Sequence, residues 1–511
     1  MSLKKKYFQI TKSKTRDHIL FTINGTTQKV SDELAFEPLT FYLRKILFAT
    51  GTKVVCAEGD CGACAVLAAW PGRPNVGNFK SPFRLLNACI APVYTFDGAS
   101  VVTIEGLQNS RDHLSALQQA FCNQAASQCG YCTPGFVSAA TYLCEQYAEK
   151  DQDLSKTKIK NLLTGNLCRC TGYESIIQAV EQGSRIYKSD LCERYLSPSV
   201  VNHLKATQKS VVKMNPSPKH ELFMPVTGAQ VSLALSHHLP LKIGSSNTDL
   251  GVIHNKEKID LHRVLNLSKV KDLYQIKVQK NGITIGARVD LESLRRRFEN
   301  ISQPISDFLN IFASPPIRST ATLIGNIANA SPIADTTPWV LLLGGFLEVH
   351  SKSQKRKIPL DQFFQDYKKT ALKNNEWVHS IFLNRPSQTL NKYLRLYKIS
   401  TRRDLDISAM NMAISLIPKD GLIQDFRLCL GGVGPITRRD YLFEKQMIGL
   451  VWDKDMIQKK IKDHIEQNIK PISDHRGSKE FRLKLIQSLI EKYLLEIFNM
   501  THKPGDMGLR Q

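Results

Sequence analysis

Nine residues, Cys56-Ala57-Glu58-Gly59-Asp60-Cys61-Gly62-Ala63-Cys64, with a fourth thiol at Cys89, restrict this chain more than any other stretch. Three thiols in C-x4-C-x2-C spacing and one further on suit Cys₄ ligation of a [2Fe-2S] cluster, which needs a tight loop around its inorganic core. The small residues Gly59, Gly62 and Ala63 let the backbone curl closely and aim N–H groups at the sulfides. Structural zinc takes paired C-x2-C hooks instead, and this loop fits that pattern poorly. A second thiol set follows, Cys129-Gly130-Tyr131-Cys132 and Cys168-Arg169-Cys170. Its spacing alone is open to zinc or to iron–sulfur, and its position just after the first loop favours iron. One cluster makes a carrier; two in series make a wire.

A chain of 511 residues has room for roughly three or four domains of ordinary size. Twelve cysteines in so long a chain are better explained by metal binding in a reducing compartment than by a disulfide framework. Cys122, Cys144, Cys192 and Cys429, outside the two sets, are expected to be buried or unpaired. Lysines at Met1-Ser2-Leu3-Lys4-Lys5-Lys6 have no apolar segment after them, and the strongest apolar run, Trp339 to Leu347, is about half a membrane span. The expectation is a soluble, cytoplasmic protein with no membrane partner. The net charge of +23 raises nucleic acid as a partner. The basic residues are spread along the chain without a recognition motif, so no nucleic-acid partner is expected.

Periodicity divides the chain. Strands are predicted at 18–24, 65–70 and 101–104, with a helix over 39–48. Helical periodicity then runs through 114–122, 135–149, 158–163 and 175–187, with the second thiol set in the breaks. The stretch 193–219 loses periodicity and ends in Asn215-Pro216-Ser217-Pro218-Lys219, which reads as a linker. Beyond it, Lys242-Ile243-Gly244-Ser245-Ser246-Asn247-Thr248-Asp249-Leu250 carries a short strand into small polar residues, a turn suited to an anion. A comparable turn recurs at Thr322-Leu323-Ile324-Gly325-Asn326. Either is also compatible with an ordinary loop, and no G-x-G-x-x-G accompanies them, so a Rossmann site is not supported. Two apolar segments, 409–417 and 423–430, and two long helical patterns, 454–469 and 479–498, complete an α+β terminal region. The tail from Thr501 to Gln511 reads as frayed.

Ser127-Gln128-Cys129-Gly130-Tyr131-Cys132-Thr133-Pro134-Gly135 and Gly165-Asn166-Leu167-Cys168-Arg169-Cys170-Thr171-Gly172-Tyr173, behind a ferredoxin-type loop, resemble the iron–sulfur and flavin part of the xanthine dehydrogenase family. The resemblance implies a multidomain α+β chain. Its expected parts are a β-grasp [2Fe-2S] ferredoxin domain (1–105), an all-α [2Fe-2S] domain (106–192), a linker (193–219), an α+β FAD-binding domain of the molybdenum-hydroxylase flavoprotein type (220–388) and an α+β C-terminal domain (389–505). It implies iron–sulfur ligation by Cys56, Cys61, Cys64 and Cys89 and by Cys129, Cys132, Cys168 and Cys170. It assigns the FAD diphosphate and ribityl chain to Lys242–Leu250 and Thr322–Asn326, an aromatic against the flavin ring to Phe312, and polar FAD contacts to Asp335 and Lys398. Val378 aligns loosely with a further apolar contact. Arg402 and Arg403 fall near the flavin edge, where they either tune it or are surface arginines.

Two departures from the family pattern stand out: Ala57 and Asp60 replace glycines in the cluster loop, and Ser245-Ser246 precedes Asn247 where glycine is frequent. They are expected to shift potential or affinity rather than abolish cofactor binding. The activity implied is passage of electrons from purine hydroxylation, at a molybdopterin centre in a separate large subunit, through both clusters to FAD and then NAD⁺. No residue of this chain is expected to hydroxylate purine, and an assembly of two small and two large subunits is implied. Alternatives are the same part of an aldehyde or N-heterocycle hydroxylase, an NAD(P)H-dependent electron carrier, and a zinc-stabilised scaffold.

Overall fold

Five apolar residues in a row need an apolar neighbour on both faces of their strand, and Ala65–Ala69 has one on each. The computed structural model describes residues 14–109, 113–147, 154–237, 241–402 and 405–501. In it Ala65, Leu67 and Ala69 share a core with Phe136, Val137 and Ala140 of a helical layer. Val66 and Ala68, pointing the other way, share one with Phe21, Leu43 and Val101. This strand lies inside a five-stranded sheet in the order Thr26–Val30, Ile19–Ile23, Ser100–Val102, Ala65–Ala69, Arg84–Asn87. The sheet and its packed helix are the β-grasp layout. The helix expected over 39–48 differs in detail: one α-turn, Leu39–Phe41, widens into π-type turns over Tyr42–Ile46. There Arg44 donates to Thr50 O and Thr52 O, steering the chain into the cysteine loop.

Helices Ala116–Asn123, Thr133–Tyr147, Lys156–Leu163 and Glu174–Ile186 form the all-α layer. Ser115 opens the first with a reciprocal capping box to Gln118, satisfying backbone donors that a helix start leaves orphaned.

The stretch 193–219, expected as a linker, is built into the fold instead. Helix Pro198–Gln208 buries Leu204 and Thr207, and strand Val211–Ser217 buries Val211, Val212 and Met214. The proline-rich segment is the turn of a hairpin to His220–Met224, with a register shift between Met214 and Ser217. Three buried apolar residues within four positions outweigh the turn signal that the prolines carry.

That hairpin belongs to a mixed sheet in the order Thr15–Arg16, Val211–Ser217, His220–Met224, Arg263–Asn266, Lys242–Gly244. A second, antiparallel sheet orders Ile276–Val278, Gly282–Gly286, Trp377–Asn384, Gly345–His350 and Lys355–Pro359. The C-terminal region pairs Met410–Lys419 with Leu422–Gly431 and covers the sheet with Lys454–Asn468 and Lys479–Thr501. The N-terminal lysines and the tail beyond Thr501 lie outside the described residues, among which no helix is long and apolar enough to cross a membrane.

Asp97 ties these layers together. Its buried carboxylate accepts from Arg16 at 2.8 Å, from Leu20 N–H at 3.0 Å and from the Lys269 ammonium, which also donates to Thr207 O at 2.8 Å. Burial raises the Asp97 carboxyl, but Lys269 and Arg16 outweigh it and hold the group below its ordinary 3.8. Burial pulls Lys269 down to about 8. Asp97→Ala leaves two buried cations without their anion and is expected to cost about 3–5 kcal/mol at neutral pH. The expected readout is a lower urea midpoint. Because the folded-state value is depressed, the contribution is present above pH 3.8 and fades as acid protonates Asp97; an unchanged neutral-pH midpoint contradicts this role.

Candidate iron–sulfur and flavin sites

The first cysteine loop turns through left-handed backbone at Ala57, Gly59 and Gly62, with φ of 54°, 73° and 68°. Ala57 adopts that conformation with a side chain, which glycine would do with less strain. Glu58 and Cys61 N–H groups donate to Cys56 Sγ at 3.4 and 3.5 Å. Cys61, Cys64 and Cys89 are buried and Cys56 is half-buried. In the second set Cys129 and Cys170 are exposed, with Cys132 and Cys168 partly covered. The outer set therefore faces solvent and the inner set lies within the fold.

The thiols of each set lie in contact with one another. Cys170 Sγ and Cys129 Sγ are 3.6 Å apart and Cys132 lies against Cys168, while in the inner set the contacts run from Cys61 to Cys56, from Cys56 to Cys89 and from Cys89 to Cys64. Among the described residues no three thiol sulfurs lie within 4.8 Å of one another. Tetrahedral Zn(Cys)₄ brings all four sulfurs to about 3.8 Å of each other, whereas a two-iron core takes two sulfurs per iron. The residues present fit the [2Fe-2S] group better than zinc. Bonds to Cys61 and Cys89 pull the Cys56 thiol well down, and the same contacts push Cys61 and Cys89 up. Cys129 is lowered chiefly by the Tyr131 N–H, and Cys170 is raised by its bond to Cys129. Burial pushes Cys132 up to about 12. Neighbouring thiols thus share protons that metal binding displaces.

The two sets touch through backbone. Leu167 N–H donates to Cys61 O at 3.0 Å, and Asn166 Nδ2 donates to Gly62 O at 3.2 Å. A Cβ on Gly135 would sit 2.2 Å from Gly62 O, and one on Gly62 would sit 2.2 Å from Gly165 O.

The inner loop meets the first candidate flavin turn just as closely. Strand Lys242–Gly244 leads through Ser245, Ser246, Asn247 and Thr248 to the short helix Leu250–Asn255. A Cβ on Gly251 would sit 2.2 Å from Ile90 O. Asn255 donates to Ala57 O at 2.8 Å and to Cys89 O at 2.9 Å, and Lys256 pairs with Glu58 at 2.9 Å. Asn247, in left-handed backbone, donates to Tyr94 Oη at 2.6 Å. Its buried Oδ1 has no partner, an acceptor left for a ligand. Burial raises the Asp249 carboxyl. The side chains of Lys242 and Ile243 are exposed, so their contribution to the turn is backbone.

In the second turn, Thr322 caps helix Leu323–Ala328 by accepting the Gly325 N–H at 3.0 Å, and Asn326 accepts from Thr336. Leu323 and Ile324 are buried. Asp335 and Lys398 form a buried ion pair, and Asp335 also accepts from Ser408 and, at 2.9 Å, from Asn411. Val378 is a core residue opposite Val349. Arg402 reaches Asp60 of the cysteine loop at 3.7 Å, and Arg403 lies outside the described residues.

Three family models match the chain: a [2Fe-2S] binding domain over 103–181, an FAD binding domain in molybdopterin dehydrogenase over 218–386, and a CO dehydrogenase flavoprotein C-terminal domain over 395–497. The chain carries the iron–sulfur and flavin domains of the molybdenum hydroxylase family. Xanthine dehydrogenase 1 of Arabidopsis thaliana is 29% identical over 93% of this chain and 39% of its own length. Xanthine dehydrogenase of Emericella nidulans is 30% identical over 82% and 34%, and aldehyde oxidase 1 of Bos taurus 26% over 95% and 40%. The chain thus spans about two fifths or less of these relatives. A carbon monoxide dehydrogenase chain from Hydrogenophaga pseudoflava shares the fold over 54% of this chain and 96% of its own, with TM-score 0.50 and 18% identity.

Several residues around the candidate flavin turns carry no local sequence signal. Tyr94, Asn255 and Ile90 are brought there by packing, as is Arg288, which donates to Ser245 Oγ at 2.6 Å. Glu292 is another. It binds Arg295 at 2.7 Å and Arg318 at 3.2 Å, and Arg318 in turn donates to Asn310 O and Phe312 O. This pair holds the segment bearing Phe312.

Gly135→Ala should wedge the two cysteine loops apart at a cost of about 1–3 kcal/mol. Iron per chain is expected to fall from about four toward about two; full iron and an unshifted melt contradict the contact. Burial raises the Glu292 carboxyl, but Arg295 and Arg318 hold it at about 2 against an ordinary 4.5. Its contribution is therefore complete above pH 4.5 and lost as pH falls through about 2. Glu292→Gln is expected to lose about 3–5 kcal/mol at pH 7. Urea midpoints of the two proteins should converge in acid; a gap that persists there argues against the ion pair.

Proposed function

We propose that the chain is the electron-transfer part of a xanthine dehydrogenase, working with a separate molybdopterin-binding large subunit and delivering electrons to NAD⁺. The observation that carries this reading is the continuous run of hydrogen bonds from the exposed cysteine set, through Leu167 N–H and Cys61 O, to the inner set, and through the Asn255 side chain to the candidate flavin turn. Bound there, two [2Fe-2S] centres supply one-electron carriers, and FAD supplies the conversion to two-electron hydride chemistry.

The chain's own residues have distinct tasks. Cys56, Cys61, Cys64 and Cys89 hold the inner centre, and Cys129, Cys132, Cys168 and Cys170 the outer one. The exposed outer set is the entry side, where the large subunit docks in a two-plus-two assembly. Lys242–Leu250 and Thr322–Asn326 cradle the FAD diphosphate and ribityl chain, with Phe312 against the ring. Asp335 is fixed by Lys398, Ser408 and Asn411 and serves as a rigid polar contact. Burial of the inner thiols keeps water from the middle of the relay. Purine is the preferred substrate because the xanthine dehydrogenases match at 29% and 30% identity, above the 26% of the aldehyde oxidase. A hydroxylase for aldehydes is the second reading, favoured by the bovine aldehyde oxidase match.

The test is anaerobic purification together with the molybdopterin-binding subunit that accompanies it, followed by xanthine or an aldehyde with NAD⁺. Expected are about four irons per chain, flavin absorbance, and NADH formed with xanthine. NADH with aldehyde alone selects the second reading, and a protein without iron or flavin rejects both.

A further inference from the structure

Among the described residues only one group of three histidine, cysteine or carboxylate side chains has its ligand atoms all within 4.8 Å of one another, and it lies outside both cysteine sets. It comprises Glu348, His350 and His379. Glu348 and His350 are two apart on strand Gly345–His350, so their side chains share a face. His379 comes from the neighbouring strand Trp377–Asn384.

A break in register explains how His379 joins them. Glu348 pairs with Ser380, and the next residue, Val349, pairs with Val378. His379 is therefore the extra residue of a β-bulge, a device that re-aims one side chain of a strand. Its carbonyl accepts the Ala287 N–H at 3.0 Å, fixing the bulge from the opposite edge. The His350 and His379 rings lie 4.3 Å apart, near parallel at 18°. His350 Nε2 is 2.7 Å from Glu348 Oε1, His379 Nδ1 is 3.3 Å from Ser380 Oγ, and Trp377 covers both imidazoles edge-on at about 5.5 Å. His350 is buried. Asp272 and Lys355, the flanking charges that act on His379, oppose each other.

We propose that Glu348, His350 and His379 form a binding site for one zinc-class divalent cation on the antiparallel sheet of the flavin domain. Two imidazole nitrogens and a carboxylate oxygen are a donor set suited to Zn²⁺ and its neighbours, with a fourth position left to water. Zinc–nitrogen bonds of about 2.0–2.1 Å draw the donors to about 3.3 Å of one another, a contraction that side-chain rotation supplies. The cation cross-links two strands whose register the bulge interrupts. This site is independent of the proposed electron transfer.

The experiment uses the full chain with iron and flavin in place, passed over a chelating resin, given Zn²⁺ alone, desalted, and assayed for metal by mass spectrometry. About one zinc per chain and a raised melting temperature are expected. His379→Gln and Glu348→Gln, on different strands, should each weaken zinc retention at least about tenfold while keeping iron, flavin and the zinc-free melting temperature. Zinc absent from the wild-type chain overturns the proposal. So does zinc retained equally by both variants, which assigns it to exposed thiols such as Cys122 and Cys192.

Discussion

Three close backbone approaches organise the molecule, and each has no room for a side chain. Gly135 meets Gly62 O, Gly62 meets Gly165 O, and Gly251 meets Ile90 O, all at 2.2 Å from the position a Cβ would take. The first two lock the outer cysteine set onto the inner loop, and the third locks that loop onto the first candidate flavin turn. Electron transfer between buried centres depends on short separations, and side-chain packing alone holds backbones further apart. Glycines at these junctions let carbonyl and N–H groups bond directly, as Leu167 does to Cys61. The cysteine loops and the candidate flavin turn are therefore joined by contacts among loops rather than by any single domain.

The charge distribution serves the same end. Asp97 holds Arg16 and Lys269, and Glu292 holds Arg295 and Arg318. Each buried carboxylate thus joins cations from separate segments, and burial makes the loss of the anion costly. Asp97 knits the ferredoxin-type sheet to the flavin sheet through helix Pro198–Gln208, whose Thr207 carbonyl is a further acceptor for both cations. Glu292 acts on the segment bearing Phe312, through Arg318 and the carbonyl of Phe312. The pairs Lys256–Glu58 and Arg402–Asp60 repeat the theme at the exposed rim of the inner cysteine loop. Asp60 stands where the resemblance led to an expectation of glycine, and the Arg402 contact depends on its carboxylate.

Much of the architecture was legible along the chain. Continuous apolar periodicity marked the helices Ala116–Asn123, Thr133–Tyr147 and Lys479–Thr501 and the strands Ile19–Ile23 and Ala65–Ala69 within a few residues. It misled at 193–219, where prolines suggested a linker. There Val211, Val212 and Met214 build a strand because a neighbouring sheet edge offers them burial. The two candidate flavin turns were visible as small polar runs, but Tyr94, Asn255, Arg288 and Glu292 were not. Each acts through a partner far away in sequence, and nothing in its immediate neighbours reveals that partner.

The sequence by itself determined what is contiguous: two thiol sets with their spacing, two glycine-bearing turns, and the order of sheet and helix. These are local because a ligand loop or an anion turn is shaped by adjacent residues. Only the tertiary structure decided which cysteine set is exposed, which backbones meet, and that a bulge turns His379 toward Glu348 and His350. Those outcomes depend on strand register and on packing between distant segments, where a shift of one residue reverses the face a side chain occupies.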